Sequence, residues 1–562
     1  MSTSQLAGTP VIVLKEGSNR SRGRDALHGN IMAAEIVAET VRSSLGPKGM
    51  DKMLVSGVGD LTITSDGRTV LDEMDIEHPA AKIMVEVAKV QDDMVGDGTT
   101  TAVVIAGELL RKAEELMDQK VHPTTIIKGY SQAAEKALKI LDEIAFPIER
   151  SDEEMMETIA KTSLYSKIVS GERDLFAKIA VQAVRRIADE NDGKADVDID
   201  HVQIQKKEGE SLGETTLLNG LIIGKEAASA GTCPTCVGGV CEIGSTSKSV
   251  KDAKIALINQ PLELKKTEFD AKIEIGDPAK LKLFMDKERS MIRDMVQKIL
   301  DAGANVVFCQ KGIDDLAQHF LDMHGLYTVH NVNEGDLKKL ARATAAKIVT
   351  RVDDIKAADL GYAAIVEERK VGDEKMTFVE GCKNPKSVCV FIRGSGEHLL
   401  DEAERALHDA LCVVRNVFQH PKIVAGGGAP QAELARRLRK YAHCMGGKEQ
   451  LAVNAFADAL EKIPITLAEN AGLEPIDVMV ELRKNHEQDR LWSGVNVQYR
   501  EVGDMEEAKV YEPLRVVRQA IMSAAESSTM ILRIDDVIAS SKNAVGAPPG
   551  APPGMPGRSP YM

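Results

Sequence analysis

Three glycine-rich segments bring together residue types that can bind phosphate. They are residues 45–49 (LGPKG), 96–101 (GDGTTT) and 425–429 (AGGGA). Because glycine has no Cβ, the backbone N–H groups of such segments can approach phosphate oxygens closely. A glycine run is nevertheless more often a turn or a close helix contact, so none of the three identifies a phosphate site by itself.

The segment 96–101 has the most specific chemistry. Asp97 stands between two glycines, directly before a long helical pattern rich in Ala, Val and Leu at 99–116. The first turn of a helix has free N–H groups that attract an anion, and a carboxylate beside phosphates suits Mg²⁺. The threonine hydroxyls add hydrogen-bond donors. The spacing matches neither GxxxxGK[ST] nor a strand-linked GxGxxG, which leaves a metal-dependent phosphohydrolase of another design.

Hydrophobic periodicity indicates the elements that must position these loops. Apolar residues recur at helical spacing over 28–45, and that helix must stop at Gly46-Pro47. Residues 61–64 alternate like a strand and lead into Asp66-Gly67, which favours a tight turn. The glycine loop at 45–49 therefore follows a long helix, and the glycine loop at 96–98 precedes another.

The rest of the chain divides by pattern. Residues 151–219 are charged and mixed, which suggests a small separate module, and 220–379 alternate short β-rich runs with helices, as in an α/β domain. The segment 400–540 is again almost wholly helical, like 28–145, so the two are candidates for one discontinuous domain. Periodicity alone does not show that they meet. The Pro/Gly-rich tail 541–562 is expected to be disordered.

Composition narrows the class of protein. The 562 residues include 71 Lys and Arg against 86 Asp and Glu, a net charge of −15, which excludes a general nucleic-acid binder. Aromatic residues are only 3%, so Val, Ile, Leu, Ala and Met must build the cores. No apolar run reaches the roughly 20 residues of a membrane span, and we find no secretory signal. We expect a cytoplasmic protein with no nucleic-acid or membrane partner and with its 8 cysteines mostly as thiols.

Longer motifs make a family resemblance specific. They are SLGPKGMDKM (44–53), SDGRTVL (65–71), HPAAK (78–82), QDDMVGDGTTT (91–101), KTSLYSK (161–167), KGIDDLAQ (311–318), LARATAAKIV (340–349), VEGCKNPKSV (379–388), ERALHDALCVVRN (404–416), VAGGGAPQAEL (424–434) and ILRIDDVI (531–538). From about residue 8 to 540 the chain resembles the group II chaperonins, and among them the archaeal thermosome subunits, which are related to the eukaryotic cytosolic chaperonin.

The resemblance implies an α+β multidomain chaperonin fold, with a helical equatorial domain that binds ATP, a small intermediate hinge domain and an α/β apical domain with a helical lid protrusion. The expected boundaries are 1–150 and 411–540 for the equatorial domain, 151–219 and 380–410 for the intermediate domain, and 220–379 for the apical domain. The order of helical, mixed, α/β and helical patterns agrees with this arrangement.

The resemblance also implies an ATPase that drives protein folding, in two stacked rings of this chain or of paralogous subunits that enclose non-native proteins. Its ligands would be ATP or ADP, Mg²⁺ and K⁺. Asp97 resembles the Mg²⁺ ligand, Asp66 the aspartate near the attacking water, and Asp409 the second aspartate, which descends on domain closure. The other implied nucleotide contacts are Leu45, Gly46, Pro47, Gly67, Gly98, Thr99, Thr100, Thr101, Lys167 as γ-phosphate sensor, Gly427, and Asp504 on the ribose side.

Such roles make chemical sense, because γ-phosphate hydrolysis needs positioning, charge neutralisation and an oriented water. Without the resemblance, an isolated aspartate in a helical segment such as Asp409 is more simply a solvated or ion-paired residue.

Three residues depart from the family's usual pattern. Arg68 stands where a small apolar residue is usual, and Met94 and Gln431 stand where acidic residues are usual. The guanidinium of Arg68 can either pair with phosphate or block it. We expect hydrolysis to persist with an altered rate or an altered cooperativity between rings.

A cysteine-rich insertion is a second departure. Cys233, Cys236 and Cys241 have the spacing CxxCx4C and can be three ligands of a structural Zn²⁺ or a redox pair. No fourth cysteine or histidine lies nearby in sequence, so a flexible insertion with reduced thiols is the alternative.

Apolar stripes at 281–299 and 313–321 are ordinarily core. In the resembling family, the first region contributes the lid protrusion and the second helps to hold non-native chains. Two other functions stay open: a non-hydrolysing holdase, which phosphate release would test, and a monomeric phosphotransferase with the same Mg-ATP site.

Overall fold

The computed structural model describes residues 19–57, 59–191, 194–228, 249–263, 278–372, 374–382 and 387–539. Its helices and mixed sheets surround several separate hydrophobic cores, which confirms the predicted α+β, multidomain class. Within these residues, every helix is too short or too polar to cross a lipid bilayer. The cysteine insertion 233–241 and the tail 541–562 lie outside the described residues.

The helices are α1 (Arg24–Arg42), α2 (Gly67–Glu73), α3 (Pro79–Val95), α4 (Thr99–Asp118), α5 (Pro123–Ile144), α6 (Glu153–Leu164), α7 (Arg173–Ile187), α8 (Pro278–Asp301), α9 (Asp315–Met323), α10 (Glu334–Thr344), α11 (Glu397–Gln419), α12 (Ala429–His443), α13 (Glu449–Ala471), α14 (Pro475–Glu487) and α15 (Leu514–Leu532).

The strands are β1 (Asn19–Arg22), β2 (Lys52–Val55), β3 (Leu61–Thr64), β4 (Phe146–Pro147), β5 (Asp189–Asn191), β6 (Lys194–Asp196), β7 (Val202–Glu208), β8 (Thr216–Leu218), β9 (Gly220–Ile223), β10 (Ser249–Ile258), β11 (Val306–Cys309), β12 (Tyr327–Val329), β13 (Ile348–Val349), β14 (Gly361–Val371), β15 (Glu374–Cys382), β16 (Val388–Gly394), β17 (Lys422–Ala425), β18 (Ser493–Asn496), β19 (Glu501–Asp504), β20 (Tyr511–Pro513) and β21 (Asp536–Ala539).

The first core is the largest and draws helices from both ends of the chain. It packs α1, α3, α4 and α5 against α12, α13 and α15. Helix α4 is buried on nearly all sides because Ala, Val, Ile and Leu occur all round its circumference. The burial of the helix therefore fixes the position of its first turn, which follows the glycine loop at 96–98.

The second core packs α6, α7 and α11 against a three-stranded sheet of order β7-β16-β8. Strand β16 runs parallel to β7 and antiparallel to β8. Helix α11 is continuous from Glu397 to Gln419 and passes through position 410, where the sequence predicted a domain boundary. This helix thus connects the second core with the first, and the predicted domain boundaries stay predictions.

A seven-stranded sheet forms the centre of the region 220–379. Its order is β12-β11-β10-β14-β15-β9, with β13 beside β10. Helix α10 covers one face and helices α8 and α9 cover the other. Ile292, Val296 and Ile299 of α8 are buried in this packing, so the described part of the stripe at 281–299 is mainly core. Leu316 and Met323 of α9 are exposed.

Candidate active site

A cavity of about 630 Å³ lies where the first and second cores meet. Most of the predicted site residues line it: Leu45, Gly46, Pro47, Asp66, Asp97, Gly98, Thr99, Thr100, Thr101, Lys167, Asp409 and Gly427. Gly67 and Asp504 do not belong to its lining. Residues that are distant in sequence therefore share one cavity with polar and apolar walls.

The loop 45–47 forms one wall and begins where α1 ends. Gly46 has a φ of +81°, and a Cβ there would lie 2.4 Å from Cδ2 of Leu467. Asn470 of α13 donates its side-chain N–H to the carbonyls of Leu45 at 2.8 Å and Arg42 at 3.3 Å. These bonds tie the loop to α13. Nothing in the sequence singles out Asn470, because a polar residue near a helix end is common.

We expect Asn470→Leu to weaken ADP binding about fivefold, because loss of two loop-holding hydrogen bonds removes roughly 1 kcal/mol or more of preorganisation. Calorimetric titration with ADP would measure the change. Asn454→Leu, on the same helix but outside the cavity lining, is the control and is expected to bind ADP like the parent. Equal affinity in Asn470→Leu would show that the loop does not depend on this contact.

The loop 96–98 joins α3 to α4, and its residues Asp97 and Gly98 also line the cavity. Gly96 ends α3 with φ +69° and Gly98 begins α4 with φ +75°, both left-handed conformations that favour glycine. Within the described residues, no side chain caps the start of α4, so the first N–H groups of the helix are available to an anion at the cavity. Asp97 Oδ1 accepts a hydrogen bond from Gly98 N at 2.6 Å.

Asp66 is anchored at the start of α2. Its Oδ2 accepts from both the backbone N and the Oγ1 of Thr69 at 2.9 Å, and its Oδ1 accepts from Thr99 Oγ1 at 3.0 Å. Gly67, which was predicted to contact nucleotide, lies behind the lining instead. A Cβ at Gly67 would be 2.6 Å from Thr100 Oγ1, so its lack of a side chain lets α2 approach the first turn of α4.

Asp409 and Lys167 form a buried, hydrogen-bonded ion pair at the second-core side of the cavity. Burial raises the pKa of Asp409 to about 6, although the charge of Lys167 opposes the rise. Burial alone would lower the pKa of Lys167, but the charges of Asp409 and Asp97 outweigh burial and raise it. The ammonium group of Lys167 therefore faces the carboxylates of Asp409, Asp97 and Asp66.

Among the other polar residues of the lining are Glu512, which sequence reasoning missed, and Gln431, which it named only as a departure from the family pattern. Glu512 of β20 reaches the cavity, and burial together with the charge of Asp97 raises its pKa to about 7. Gln431 in the first turn of α12 is buried, and within the described residues its Oε1 has no hydrogen-bond partner. Gln431 is the one departure from the family pattern that lines the cavity.

The other two departures face elsewhere. Arg68 is not part of the cavity lining; its guanidinium forms ion pairs with Asp92, Asp93 and Asp72. The guanidinium of Arg68 therefore neither pairs with phosphate nor blocks it, because nearby carboxylates of α2 and α3 hold the side chain. Met94 is half exposed on α3.

Comparison with known proteins gives a consistent match over nearly the whole chain. The family model described as the TCP-1/cpn60 chaperonin family matches residues 37–542. The chain is 54% identical to a thermosome subunit of Pyrococcus horikoshii over 539 residues, which covers 96% of both chains. It is 56% identical to thermosome subunit beta of Thermococcus kodakarensis, again with 96% coverage of both. With thermosome subunit alpha of Archaeoglobus fulgidus it shares 53% identity over 95% of this chain and 96% of the relative.

Proposed function

The chain belongs to the TCP-1/cpn60 chaperonin family, and we propose that the cavity between its first and second cores is the ATPase site of a group II chaperonin subunit. The protein is an ATP-dependent chaperone that forms ring assemblies. One observation carries the site assignment: Asp66, Asp97, Asp409 and Lys167 reach one cavity from separate parts of the chain.

We assign the phosphates to the wall formed by Leu45, Gly46 and Pro47 and by the first turn of α4, Thr99–Thr101. The N–H groups in the first turn of α4 are available to phosphate there, whereas the N–H of Gly98 donates to Asp97 Oδ1. Gly427 lies on the lining and is assigned to the nucleotide. Asp504 ends β19, opposite Ser493 in the β18–β19 hairpin, whose far end contributes Val495 and Asn496 to the lining. Its assignment to the ribose stays a prediction.

Asp97 fits a magnesium ligand. Its carboxylate forms no ion pair within the described residues and accepts only the hydrogen bond from Gly98. No group of three metal-ligating side chains occurs in that part of the chain. Mg²⁺ suits such a site, because it is commonly held by one carboxylate together with nucleotide phosphates and water. When bound, it supplies charge neutralisation at the phosphates.

Asp66 and Asp409 would hold and orient the attacking water, and Lys167 would neutralise charge on the γ-phosphate. Asp66 is fixed to the first core by Thr69 and Thr99, whereas Asp409 belongs to α11 and the second core. Movement of α11 relative to the first core therefore adds or removes one of the two carboxylates. Hydrolysis is coupled in this way to the relative position of the two cores.

We further propose two stacked rings of this chain, alone or with paralogous subunits, and non-native proteins as clients. Thermosome relatives carry alpha and beta subunit names, which supports either composition. Exposed Leu316 and Met323 on α9 are apolar surface of the kind that clients contact. A cytoplasmic location accords with the five cysteines of the described part, which are all free thiols. Bound K⁺, and Zn²⁺ at Cys233–Cys241, stay predictions.

Native mass and phosphate release together test the proposed function. Light scattering is expected to give a particle many times heavier than the 60.8 kDa chain, which becomes more compact with Mg-ATP while phosphate is released. A ring that releases no phosphate would favour a holdase. A monomer with and without Mg-ATP would contradict the ring chaperone.

A further inference from the structure

One face of α11 touches both the catalytic cavity and the loop that carries Asp97. Asp409, Cys412 and Asn416 follow one another at spacings of three and four residues, so they lie along the same stripe of the helix. Asp409 lines the cavity. Cys412 packs against Gly96 so closely that a Cβ at Gly96 would lie 2.2 Å from the Cβ of Cys412. Asn416 donates its side-chain N–H to the carbonyl of Val95 at 2.7 Å.

Side chains hold the backbone on both sides of this loop. Val95 is the last residue of α3, so its carbonyl is not needed by the helix and is free to accept from Asn416. Arg415 donates to the preceding carbonyl, that of Met94, at 3.2 Å. From within α3, Gln91 donates to the carbonyl of Asp97 at 2.8 Å and to the carbonyl of Val516 in α15 at 3.3 Å.

Asn416 and Gln91 are both wholly buried. Within the described residues, the side-chain oxygen of each has no hydrogen-bond partner. A buried amide oxygen without a partner destabilises the fold, so each side chain keeps a polar group there at some cost. The N–H groups of the two side chains donate to carbonyls in or directly before the Asp97 loop, those of Asp97 and Val95.

We propose that Asn416 is a positioning residue that holds the backbone before Asp97 and so places the Asp97 carboxylate. Its hydrogen bond to the carbonyl of Val95 acts two residues before Asp97, where α3 ends and the loop begins. The proposal rests on the proposed function, since it concerns Asp97 as the metal ligand. It adds Asn416 to the residues of α11 at the site, which are Asp409 and Val413 on the cavity lining and Cys412 against Gly96.

The test separates metal-dependent binding from binding of the nucleotide alone. Calorimetry gives the Kd of ADP for the assembled protein, once in EDTA and once in excess Mg²⁺. The Kd in EDTA divided by the Kd in Mg²⁺ measures how well Asp97 is placed. Asn416→Leu is expected to reduce this ratio about fivefold, the effect of one lost hydrogen bond. ADP affinity in EDTA is expected to stay within about twofold, because the loop 45–47 does not depend on Asn416.

Asn30→Leu is the matched control. Asn30 is buried in α1, in the same first core, and within the described residues its side-chain nitrogen has no partner. The substitution is the same and lies outside the cavity lining, so the ratio of ADP affinities is expected to be unchanged. Gln91→Leu removes the bond to the Asp97 carbonyl from the other side and is expected to reduce the ratio as Asn416→Leu does.

The outcomes distinguish this proposal from the proposed function. A parent protein that binds no ADP would refute the ATPase site itself. A parent with Mg²⁺-dependent binding, together with Asn416→Leu and Gln91→Leu variants that keep its ratio, would refute the positioning role alone. If Asn416→Leu does not assemble, the ratio of ADP affinities in Gln91→Leu decides whether the loop of Asp97 is positioned in this way.

Discussion

Asp409→Asn is expected to lower ATP turnover about 100-fold or more, while ADP affinity stays within about threefold. The amide keeps the shape of the side chain but removes the negative charge that can hold and polarise a water. Asp409 is buried at the cavity wall and is paired with Lys167, whose charge would then face phosphate without its partner. Phosphate release under saturating Mg-ATP measures the turnover, and calorimetry measures ADP binding.

Asp401→Asn is the control for that prediction. Asp401 lies on the same helix, two turns earlier, and pairs with Lys206 at the surface. The same change of charge on α11 is therefore made away from the cavity, and turnover is expected to stay within about twofold. If Asp409→Asn hydrolysed ATP at more than a third of the parental rate with a normal native mass, Asp409 would not be the water-orienting carboxylate.

The glycine loops are the part of the site that the sequence itself predicts well. A helix that must stop at Gly46-Pro47 and another that must begin after Gly98 are local signals, and the structure has α1 ending at Arg42 and α4 beginning at Thr99. Their meeting in space is a long-range property, which depends on packing between segments far apart. For Asp409 the residues alone favoured a surface aspartate, and only the family resemblance pointed to the cavity.

The residues that position the loops carry no comparable signal. Asn470, Gln91 and Asn416 are single polar residues within helical patterns, and most such residues face solvent. Their role depends on which carbonyl lies opposite after folding, such as Leu45 O for Asn470. Periodicity describes one helix at a time, so it does not contain that information.

Arg68 shows a different limit of sequence reasoning. A guanidinium beside a predicted phosphate site suggests an anion partner, and the structure has such partners in Asp92 and Asp93. Burial raises the pKa of Asp92, while the hydrogen bond from Arg68 opposes that rise. Whether the Arg68 guanidinium pairs with protein carboxylates or with nucleotide phosphate depends on which of them lies nearer in the folded protein. The local sequence does not give that distance.

Glu433→Gln is expected to lower the free energy of unfolding by about 3–5 kcal/mol, as removal of one partner from a buried charge group does. Glu433 is fully buried and accepts hydrogen bonds from Arg436 at 2.6 Å and Arg437 at 2.6 Å. Its Oε2 also lies 3.1 Å from Nδ1 of the buried His486, which links α12 to α14. Urea unfolding at fixed protein concentration measures the loss. Glu487→Gln, which removes an exposed carboxylate of α14, is the control and is expected to cost less than about 1 kcal/mol.

The pH dependence of this loss identifies its electrostatic origin. Burial would raise the pKa of Glu433, but the hydrogen bonds from His486, Arg436 and Arg437 outweigh it and lower the pKa to about 2, from an ordinary value of 4.5. A carboxyl whose pKa is lower in the folded state stabilises the fold fully above 4.5, and that contribution disappears as pH falls from 4.5 to about 2. The difference in unfolding free energy between the parent and Glu433→Gln is therefore expected to be constant above pH 5 and to shrink below it. A difference that stayed constant down to pH 3 would mean that the glutamine disturbs packing and that the lost charge contributes little.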